Sequence, residues 1–359
     1  MALIKPIEVG ILGGTGMVGQ HFIRFLQGHP WFKLTWLGAS DRSAGRKLKD
    51  ATSWRLDGEM PASAAGITVS DSQPGNAPKL VFSAMDASVA TEIERAFAAA
   101  GHVVVSNSRN HRMEIDVPLL VPEVNPSHLS LVHSQQRNRG WKGMIVTNPN
   151  CSTVVLTMAL APLAQFGIKG VLAATMQAVS GAGYPGVPSM DILGNVVPYI
   201  GSEEEKMEAE TLKLLGKLEG HAVTPLAARI SAQCNRVAVE DGHTESVSIK
   251  LAKTATREEI LAAWAEFRPL AGQGLPTAPD QPIEWAPQDD RPQPRLDRNR
   301  GNGMAVTVGR LRPCGLLDWK FTVLSHNTIR GAAGAAILNA ELLASLGKLE
   351  PVVEVAARA

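Results

Sequence analysis

The start of the chain constrains its fold more than any other feature. Residues 7–26 join an apolar stretch, a glycine cluster and an amphipathic segment in the sequence IEVGILGGTGMVGQHFIRFL. The apolar stretch, residues 7–12, is typical of a buried strand, whereas Val18, Phe22 and Phe25 recur at the spacing of one helix face. A strand, a glycine turn and a helix in this order begin a parallel sheet whose strands are connected through helices.

The same alternation continues along the N-terminal part of the chain. Apolar strands are predicted at 34–40, 79–85 and 102–108, with a helix at 89–101 before the last of them. We therefore predict an α/β fold in which residues 1–150 form a Rossmann-type, doubly wound parallel sheet that binds a dinucleotide.

The pattern changes in the C-terminal part of the chain. Longer strands are predicted at 171–181, 244–252 and 304–312. They favour a mixed or antiparallel sheet with flanking helices, so residues 151–326 are predicted to form a second, α+β domain. A helix over 327–359 is predicted to complete the first domain. The six prolines and many charges of 275–303 predict a surface excursion without regular structure.

Charge and cysteine content narrow the class of protein. Lys and Arg number 35 and Asp and Glu 34, so the net charge of +1 gives no general attraction to nucleic acid or to an anionic membrane. Cys151, Cys234 and Cys314 lie far apart without a CxxC pair, so neither a disulfide framework nor a metal site is predicted. No signal peptide or long apolar run is recognised. We therefore expect a cytoplasmic enzyme that acts on small molecules.

The glycine cluster predicts the cofactor site. Gly13, Gly16 and Gly19 have the spacing GxxGxxG, a variant of the usual fingerprint, between a strand and a helix. Without side chains, backbone N–H groups can approach a pyrophosphate at the helix N-terminus. A structural tight turn is the alternative. The predicted cofactor contacts of this turn are Gly13, Thr15, Gly16, Met17 and Val18.

The end of the second predicted strand bears on the choice between NADP and NAD. Hydroxyl groups and a guanidinium accommodate a ribose 2′-phosphate, whereas a carboxylate accepts the ribose 2′-hydroxyl. The segment reads Ser40, Asp41, Arg42, Ser43. Ser40, Arg42 and Ser43 favour NADP, and Asp41 keeps NAD as the alternative.

The sequence NPNCST sets Cys151 between two apolar segments, at the predicted start of a helix. The helix is expected to begin near Ser152 or Thr153, with Asn150 or Thr153 as its cap. Because the partial positive charge of a helix N-terminus lowers a thiol pKa, Cys151 is predicted to be a thiolate nucleophile. A small, buried and inert cysteine is the alternative, and the other two cysteines are predicted to be of that kind.

His243 is the candidate for moving a proton to or from such a nucleophile. It follows Asp241 and Gly242 and precedes a predicted strand. Arg236 lies seven residues earlier, and the two side chains meet only if the chain turns at Asp241 and Gly242. A surface loop is the alternative for His243.

Seven motifs cover nearly the whole chain. They are GGTGMVG, SNSRNHRM with the following DVPLLVPEVN, TNPNCST, MQAVSGAGYPGVPSMDILGNVVPYI, EEEKMEAETLKLLG, NRVAVEDGHTESV and LSHNTIRGAAGAAILNAELL. In content and order they resemble the aspartate-semialdehyde dehydrogenase family, in the branch typical of archaea and fungi. The resemblance implies an NADP-dependent enzyme of lysine, threonine and methionine biosynthesis, which reduces L-aspartyl 4-phosphate to L-aspartate 4-semialdehyde through a cysteine thioester.

The resemblance also implies roles for individual residues. Cys151 is similar to the nucleophile that forms the acyl thioester, Gln177 to a residue that orients it, and His243 to the acid/base residue. Arg236 looks like the residue that binds the substrate carboxylate, and Glu210 like the one that meets the amino group. The further cofactor contacts that the family implies are Ser83, Ser180, Gly181 and Asn327.

Phosphate binding is the remaining role that the family implies. Arg112 and Lys213 are similar to the residues that handle phosphate, with Asn150 beside the nucleophile. Glu203 and Lys206 offer a second acidic and basic pair at the same spacing as the first, so the choice of pair stays open. From residue types alone, each pair is equally a solvated salt bridge on a helix surface.

Three other functions share part of this pattern. Malonyl-CoA reductase, a close relative, would use the same cysteine chemistry on a CoA thioester. N-acetylglutamyl-phosphate reductase shares the chemistry but has a different cysteine motif, and a cofactor-sensing protein would need neither Cys151 nor His243. The expected partners are a small-molecule substrate and inorganic phosphate, with no nucleic acid and no membrane, in a homodimer or homotetramer.

Arg42→Ala tests the predicted cofactor preference. If Arg42 contacts the 2′-phosphate, its removal costs about 1.5 to 3 kcal/mol, which is roughly a ten- to hundredfold loss of kcat/KM for NADP. NAD use should barely change. Steady-state kinetics with both cofactors is the measurement, and Asp41→Ala, expected to leave NADP use unchanged, is the control. A wild-type preference for NAD that Asp41→Ala abolishes would identify Asp41 as the ribose ligand instead.

Overall fold

A parallel sheet of six strands forms the N-terminal part of the computed structural model, which describes residues 6–349. Its strands are β1 (Ile7–Leu12), β2 (Phe32–Ala39), β3 (Val69–Asp71), β4 (Leu80–Ser83), β5 (Val103–Ser106) and β6 (Met144–Thr147). The order across the sheet is β3-β2-β1-β4-β5-β6, and every neighbouring pair is parallel. This order reverses between β1 and β4, so the predicted Rossmann-type sheet is confirmed.

Helices connect these strands. They are α1 (Met17–Leu26), α2 (Leu48–Ala51), α3 (Ala62–Ala65), α4 (Ala87–Ala100) and α5 (Leu131–Arg139), with a 3-10 helix at Pro126–Ser130. α4 begins where the Asp86 carboxylate accepts the backbone N–H of Ser88 at 2.8 Å, and it ends at Gly101, whose φ of 105° few other residues adopt. Sequence signals of capping therefore define both of its ends.

A second sheet, which is mixed, dominates the C-terminal part. Its strands are β7 (Ile168–Gln177), β10 (Arg229–Arg236), β11 (His243–Leu251), β12 (Ile283–Ala286), β13 (Val306–Pro313) and β14 (Trp319–Ser325), with β8 (Lys217–Glu219) and β9 (Ala222–Thr224) as a separate hairpin. The order is β10-β7-β11-β14-β13-β12, in which β7 is parallel to β10 and antiparallel to β11. The predicted second α+β unit is confirmed.

Helices around this sheet carry much of the site. They are α6 (Cys151–Leu160), α7 (Ser189–Ile192), α8 (Glu203–Leu214), α9 (Arg257–Glu266) and α10 (Pro294–Asp297), with 3-10 helices at Ala161–Phe166, Val179–Ala182 and Arg300–Gly303. α6 is buried along nearly its whole length and packs against β11, β13 and β14. It therefore joins the end of the first sheet to the core of the second.

The prediction for 275–303 is wrong in part. β12 lies within this segment and pairs with β13 in parallel, and α10 follows it. The buried Asp297 carboxylate accepts hydrogen bonds from the Arg291 guanidinium at 2.6 Å and from the backbone N–H of Gln293 at 2.7 Å. Pairing and side-chain contacts from elsewhere in the chain thus order a segment whose composition disfavours regular structure.

The C-terminal helix returns to the first sheet. A π-helical turn, Ile329–Ala333, leads into α11 (Gly334–Ser345), whose buried Ile337 and Leu338 share an apolar cluster with Ile11 of β1. The predicted helix continues to 359, but residues 350–359 lie outside the described part of the chain, and the predicted domain boundaries stay a prediction. Within residues 6–349 no helix has the length and apolarity that a membrane span requires.

Candidate active site

Cys151 is the first residue of α6, directly after the short loop that leaves β6. The Asn150 side-chain oxygen accepts the backbone N–H groups of Ser152 at 2.9 Å and Thr153 at 3.2 Å, and so caps the helix. The helix therefore starts one residue earlier than the first of the predicted positions, with Asn150 as its cap. The capping bonds hold the thiol in the first turn, facing the junction of the two sheets.

The π-helical turn approaches Cys151 from the other side. A β-carbon at Gly331 would lie 2.6 Å from the Cys151 β-carbon, so only glycine fits there. The preceding residue, Arg330, is buried and donates to both carboxylate oxygens of Glu123, at 2.6 Å and 2.9 Å. Gly331 and this ion pair were not predicted from the sequence, because a run of small residues in a helix does not indicate which residues pack against it.

His243 begins β11 and meets Cys151 across the junction. Its Nε2 lies 3.2 Å from the Cys151 sulfur, and its Nδ1 accepts the backbone N–H of Ala178 at 3.1 Å. Because Nδ1 is an acceptor, the neutral ring carries its proton on Nε2, toward the sulfur. Burial, with the nearby Arg236 charge, lowers the pKa of His243 to about 3, so the ring is neutral near pH 7.

Arg236 ends β10 and lies beside His243. A β-carbon at Gly181 would be 2.7 Å from the Arg236 Nη1 and 3.0 Å from the His243 Cε1, so both side chains border Gly181. The chain turns at Gly242, whose φ is 103° and whose N–H donates to the Asn327 side chain at 2.8 Å. The predicted turn at Asp241 and Gly242 is therefore present, and it brings Arg236 and His243 together.

The expectation of a lowered pKa for Cys151 is wrong. Burial, and after it the Glu203 carboxylate, raise the pKa of the Cys151 thiol to about 12, while Arg236, Arg112 and Lys206 act in the opposite direction. Burial and a nearby carboxylate thus outweigh the nearby cations. The free protein holds Cys151 as a thiol near pH 7.

The other cysteines differ from each other. Burial raises the pKa of Cys234 to about 12, which agrees with its prediction as inert. The backbone N–H groups of Leu317 and Leu316 lower the pKa of Cys314, which is partly exposed at the turn between β13 and β14. All three cysteines are free thiols.

Glu203 and Lys206 face the site from the start of α8. The Glu203 carboxylate accepts the side-chain N–H of Asn150 at 2.7 Å and the Lys206 ammonium at 2.6 Å. Lys206 and Asn150 line a cavity of about 690 Å³ together with Arg112. This second acidic and basic pair therefore lies beside the nucleophile.

Glu210 and Lys213 lie deeper, about two turns further along α8 than Glu203 and Lys206. Glu210 accepts the Arg112 guanidinium at 3.0 Å and the backbone N–H of Asn150 at 2.6 Å. Lys213 donates to the backbone carbonyls of Arg112 at 2.7 Å, Glu114 at 2.8 Å and Val117 at 3.0 Å. These bonds use all three of its protons. The prediction of Lys213 as a phosphate ligand is therefore corrected, because its ammonium is occupied in holding the loop after β5.

Gln177 and Ser83 also differ from their expected placement. Gln177 ends β7, and its amide donates to the Thr175 hydroxyl at 3.3 Å rather than to Cys151. Ser83 ends β4 with no exposed surface, so its side chain does not face the cofactor cleft as expected. Sequence reasoning could not tell these orientations, since alternate residues of a strand point to opposite faces.

A cleft of about 410 Å³ lies on the side of Cys151 that faces α1. Ser180 and Gly181 line it, as does Asn327, whose amide donates to the Ser180 hydroxyl at 2.8 Å. Met17 and Val18 border it from the start of α1. Five of the predicted cofactor contacts, from both parts of the chain, thus line one cleft that also contains Cys151.

The glycine turn fits the phosphates of a dinucleotide. A β-carbon at Gly19 would be 2.4 Å from the Gly13 carbonyl oxygen, so α1 can pack this closely on the turn only because Gly19 has no side chain. Gly13 itself has a φ of 77°, which favours glycine. Gly16 caps α1 without a side-chain hydrogen bond, and a β-carbon there would make only an ordinary van der Waals contact, at 3.5 Å, with the Gly13 carbonyl oxygen. The first N–H groups of α1 are therefore accessible to an anion.

The predicted contacts for the ribose 2′-phosphate follow β2. Thr15 is partly exposed in the turn, Ser40 and Arg42 are exposed and Ser43 is buried.

Across residues 6–349, no cluster of His, Cys, Asp and Glu is arranged to hold a metal ion.

Two family models match the chain. One, described as the NAD-binding domain of semialdehyde dehydrogenase, matches residues 8–132, and the other, described as the dimerisation domain of semialdehyde dehydrogenase, matches residues 160–330. Together they cover both sheets except β6, which lies between the two matched ranges.

Similar proteins extend over nearly the full chain. The aspartate-semialdehyde dehydrogenase of Archaeoglobus fulgidus is 52% identical over 94% of this chain and 97% of its own length. The Saccharomyces cerevisiae protein of the same name is 47% identical over 93% of this chain and 96% of its own length. The crystal structure of the Candida albicans aspartate semialdehyde dehydrogenase with NADP superimposes with a TM-score of 0.89 at 45% identity, covering 96% of this chain and 100% of that one.

Glu203→Gln should increase the reactivity of Cys151 toward iodoacetamide. The substitution removes the carboxylate that raises the thiol pKa, so the pKa falls and the thiolate fraction at a given pH rises. Alkylation rates at Cys151, followed by peptide mapping between about pH 7 and pH 10, are the measurement. Glu205→Gln removes a charge from an exposed position of the same helix and should leave the rate unchanged. Equal rates in the two variants would contradict the assigned influence of Glu203.

Proposed function

This chain belongs to the aspartate-semialdehyde dehydrogenase family, and we propose that it interconverts L-aspartyl 4-phosphate and L-aspartate 4-semialdehyde with NADP as cofactor. The observation that carries the proposal is the 3.2 Å approach of the Cys151 sulfur to His243. This pair lies where the cleft bordered by α1 meets the cavity lined by Arg112 and Lys206. A nucleophile, a proton-transfer group and sites for both a dinucleotide and an anion thus meet at one point.

We assign the covalent step to Cys151. In the direction of oxidation its sulfur bonds to the aldehyde carbon, and the thiol proton passes to the aldehyde oxygen to give a hemithioacetal. The hemithioacetal carbon then loses a hydride and its hydroxyl group loses a proton, which leaves through the His243 Nε2 to solvent, and the product is a thioester. When bound, the nicotinamide supplies the hydride exchange. A phosphate oxygen then attacks the thioester carbon, the carbon–sulfur bond breaks, and aspartyl phosphate leaves; biosynthesis runs these steps in reverse.

We assign proton transfer to the Nε2 of His243. Its Nδ1 is held by the Ala178 N–H, so a proton can enter and leave the ring only at Nε2, which faces the sulfur. The neutral ring can donate its Nε2 proton to the substrate oxygen while the thiol proton replaces it. The low pKa of His243 disfavours a stable imidazolium beside the thiolate. His243 therefore passes the proton between the sulfur and the substrate oxygen without remaining as an imidazolium.

Substrate binding follows from the charges around the sulfur. Arg236, whose Nη1 donates to the Ala178 carbonyl at 2.8 Å, is placed for the substrate carboxylate, and Glu203 for the amino group. Arg112 and Lys206 are placed for the phosphoryl group. Glu203 and Lys206 therefore take the roles that the family resemblance first suggested for the pair deeper in α8.

The proposed cofactor residues are those of the cleft beside α1. The glycine turn would hold the pyrophosphate, Ser40 and Arg42 the 2′-phosphate, and Ser180, Gly181 and Asn327 would border the nicotinamide. Support comes from the open α1 N-terminus and from the Asn327 amide, which is fixed by its bond to Ser180. Kinetics of the Arg42→Ala and Asp41→Ala variants with both cofactors distinguish a 2′-phosphate site for NADP from a ribose site for NAD.

We also propose that the chain forms a homodimer through the open face of its second sheet. Leu172 and Met176 of β7 are 47% and 36% exposed on that face, although both are apolar. Exposed apolar residues at alternate positions of a central strand indicate a covered surface. The segment between β7 and α8 adds Tyr184 and Tyr199, which are also exposed. A tetramer and a cytoplasmic location stay predictions.

A reductive assay that offers L-aspartyl phosphate and malonyl-CoA in parallel tests the proposed reaction. We expect NADPH oxidation with aspartyl phosphate only. Cys151→Ala should abolish turnover and retain cofactor binding, because the thiol forms the covalent intermediate but the cleft for the cofactor is unchanged. Cys234→Ala and Cys314→Ala are the controls and should stay active. Turnover with malonyl-CoA alone, or an active Cys151→Ala variant, would contradict the proposal.

Lys206 and Lys213 should behave differently on substitution. Lys206→Met should raise the Michaelis constant for phosphate roughly tenfold, the effect of losing one charged hydrogen bond. Lys213→Met leaves three backbone carbonyls without a donor, and it should lower the free energy of unfolding by about 1 to 3 kcal/mol with little change in that Michaelis constant. Phosphate saturation and urea unfolding of both variants are the measurements. The reverse pattern would restore Lys213 as the phosphate ligand.

A further inference from the structure

Two cavities adjoin beside Cys151. The cleft bordered by α1 contains the thiol, and the cavity of about 690 Å³, here called the anion cavity, lies between the start of α4, the loop after β5 and the start of α8. Both are lined by Asn107, Arg112 and Asn150, so they adjoin next to the nucleophile. The anion cavity opens at the carboxyl ends of β4 and β5, an edge where ligands of parallel sheets bind.

Cations dominate the lining of the anion cavity. Arg109, Arg112 and Lys206 line it, against one carboxylate, Asp86. That carboxylate caps α4 through the N–H of Ser88, and the Arg109 charge contributes to the lowering of its pKa, after the hydrogen bonds from Ser88. A cleft lined mainly by one sign of charge raises the local concentration of ions of the other sign. The lining therefore selects an anion.

Arg109 differs from the two inner cations. Arg112 is paired with Glu210 at 3.0 Å and Lys206 with Glu203 at 2.6 Å. Arg109 is exposed, and among the ion pairs of residues 6–349 it has no partner. An unpaired guanidinium at the outer end of a cavity that leads to two paired cations is placed to meet an incoming anion first.

We propose that the acyl-acceptor phosphate reaches the Cys151 thioester through the anion cavity, and that Arg109 is the outer cation that attracts it. This inference rests on the proposed function. Phosphate then approaches the thioester carbon from the anion cavity and not through the cofactor cleft, so a dinucleotide in that cleft does not block its entry. The same route receives the phosphoryl group of aspartyl phosphate in the biosynthetic direction.

Steady-state kinetics of Arg109→Ala test the proposal. At low ionic strength kcat/KM for phosphate should fall roughly three- to tenfold, while the Michaelis constants for NADP and for aspartate semialdehyde stay unchanged. The loss should shrink as salt is added, because exposed charges are screened. Arg109→Lys retains the charge and should recover most of the wild-type value. Arg137→Ala removes an exposed arginine on α5, away from both cavities, and should have no effect.

Other outcomes separate the two levels of the proposal. An Arg109→Ala variant with the wild-type kcat/KM for phosphate at every salt concentration would overturn the role of Arg109. Equal losses for phosphate and NADP, or a lowered midpoint of thermal unfolding that Arg109→Lys does not restore, would show a structural role and overturn it as well. A wild-type protein without phosphate-dependent turnover would instead overturn the proposed function.

Discussion

The approach of the Cys151 sulfur to the His243 Nε2, at 3.2 Å, is the contact on which the rest of the site depends. It joins the carboxyl end of the parallel sheet to the start of β11 in the mixed sheet, so neither sheet alone contains the site. Asn150 and Gly331 fix the thiol through a helix cap and a close backbone approach, and the Ala178 N–H fixes the imidazole. Rigid placement of both partners is what nucleophilic catalysis requires.

Buried charge pairs hold the elements around this contact. Arg330 with Glu123 joins the C-terminal helix to the loop before α5, and Arg112 with Glu210 joins the loop after β5 to α8. Breaking a buried pair typically costs about 3 to 5 kcal/mol, because it leaves one charge without compensation. Such pairs therefore specify one arrangement of the elements. The burial that strengthens these pairs also raises the pKa of the Cys151 thiol, so its proton must be transferred when the sulfur attacks a substrate.

Local signals in the sequence were sufficient for much of the molecule. The strand, glycine turn and helix at residues 7–26 predict the Rossmann-type sheet, because period, turn chemistry and capping are properties of neighbouring residues. The polar sequence around Cys151 likewise predicts a helix start with Asn150 as a cap. The pKa of Cys151 was predicted wrongly, since burial and the charge of Glu203 come from distant parts of the chain.

By itself the sequence determined the order of the elements and the two-part organisation, and it singled out Cys151 as the proposed nucleophile. Only the tertiary structure decided which of two equally spaced pairs on α8 lies next to Cys151. The pairs are seven residues apart and so lie on the same side of the helix, and they differ only in their position along its axis. It also decided that Lys213 binds carbonyls and that Gly331 lies against the thiol. These are contacts between residues far apart in the chain, and their energies depend on distance and burial, which a linear pattern does not contain.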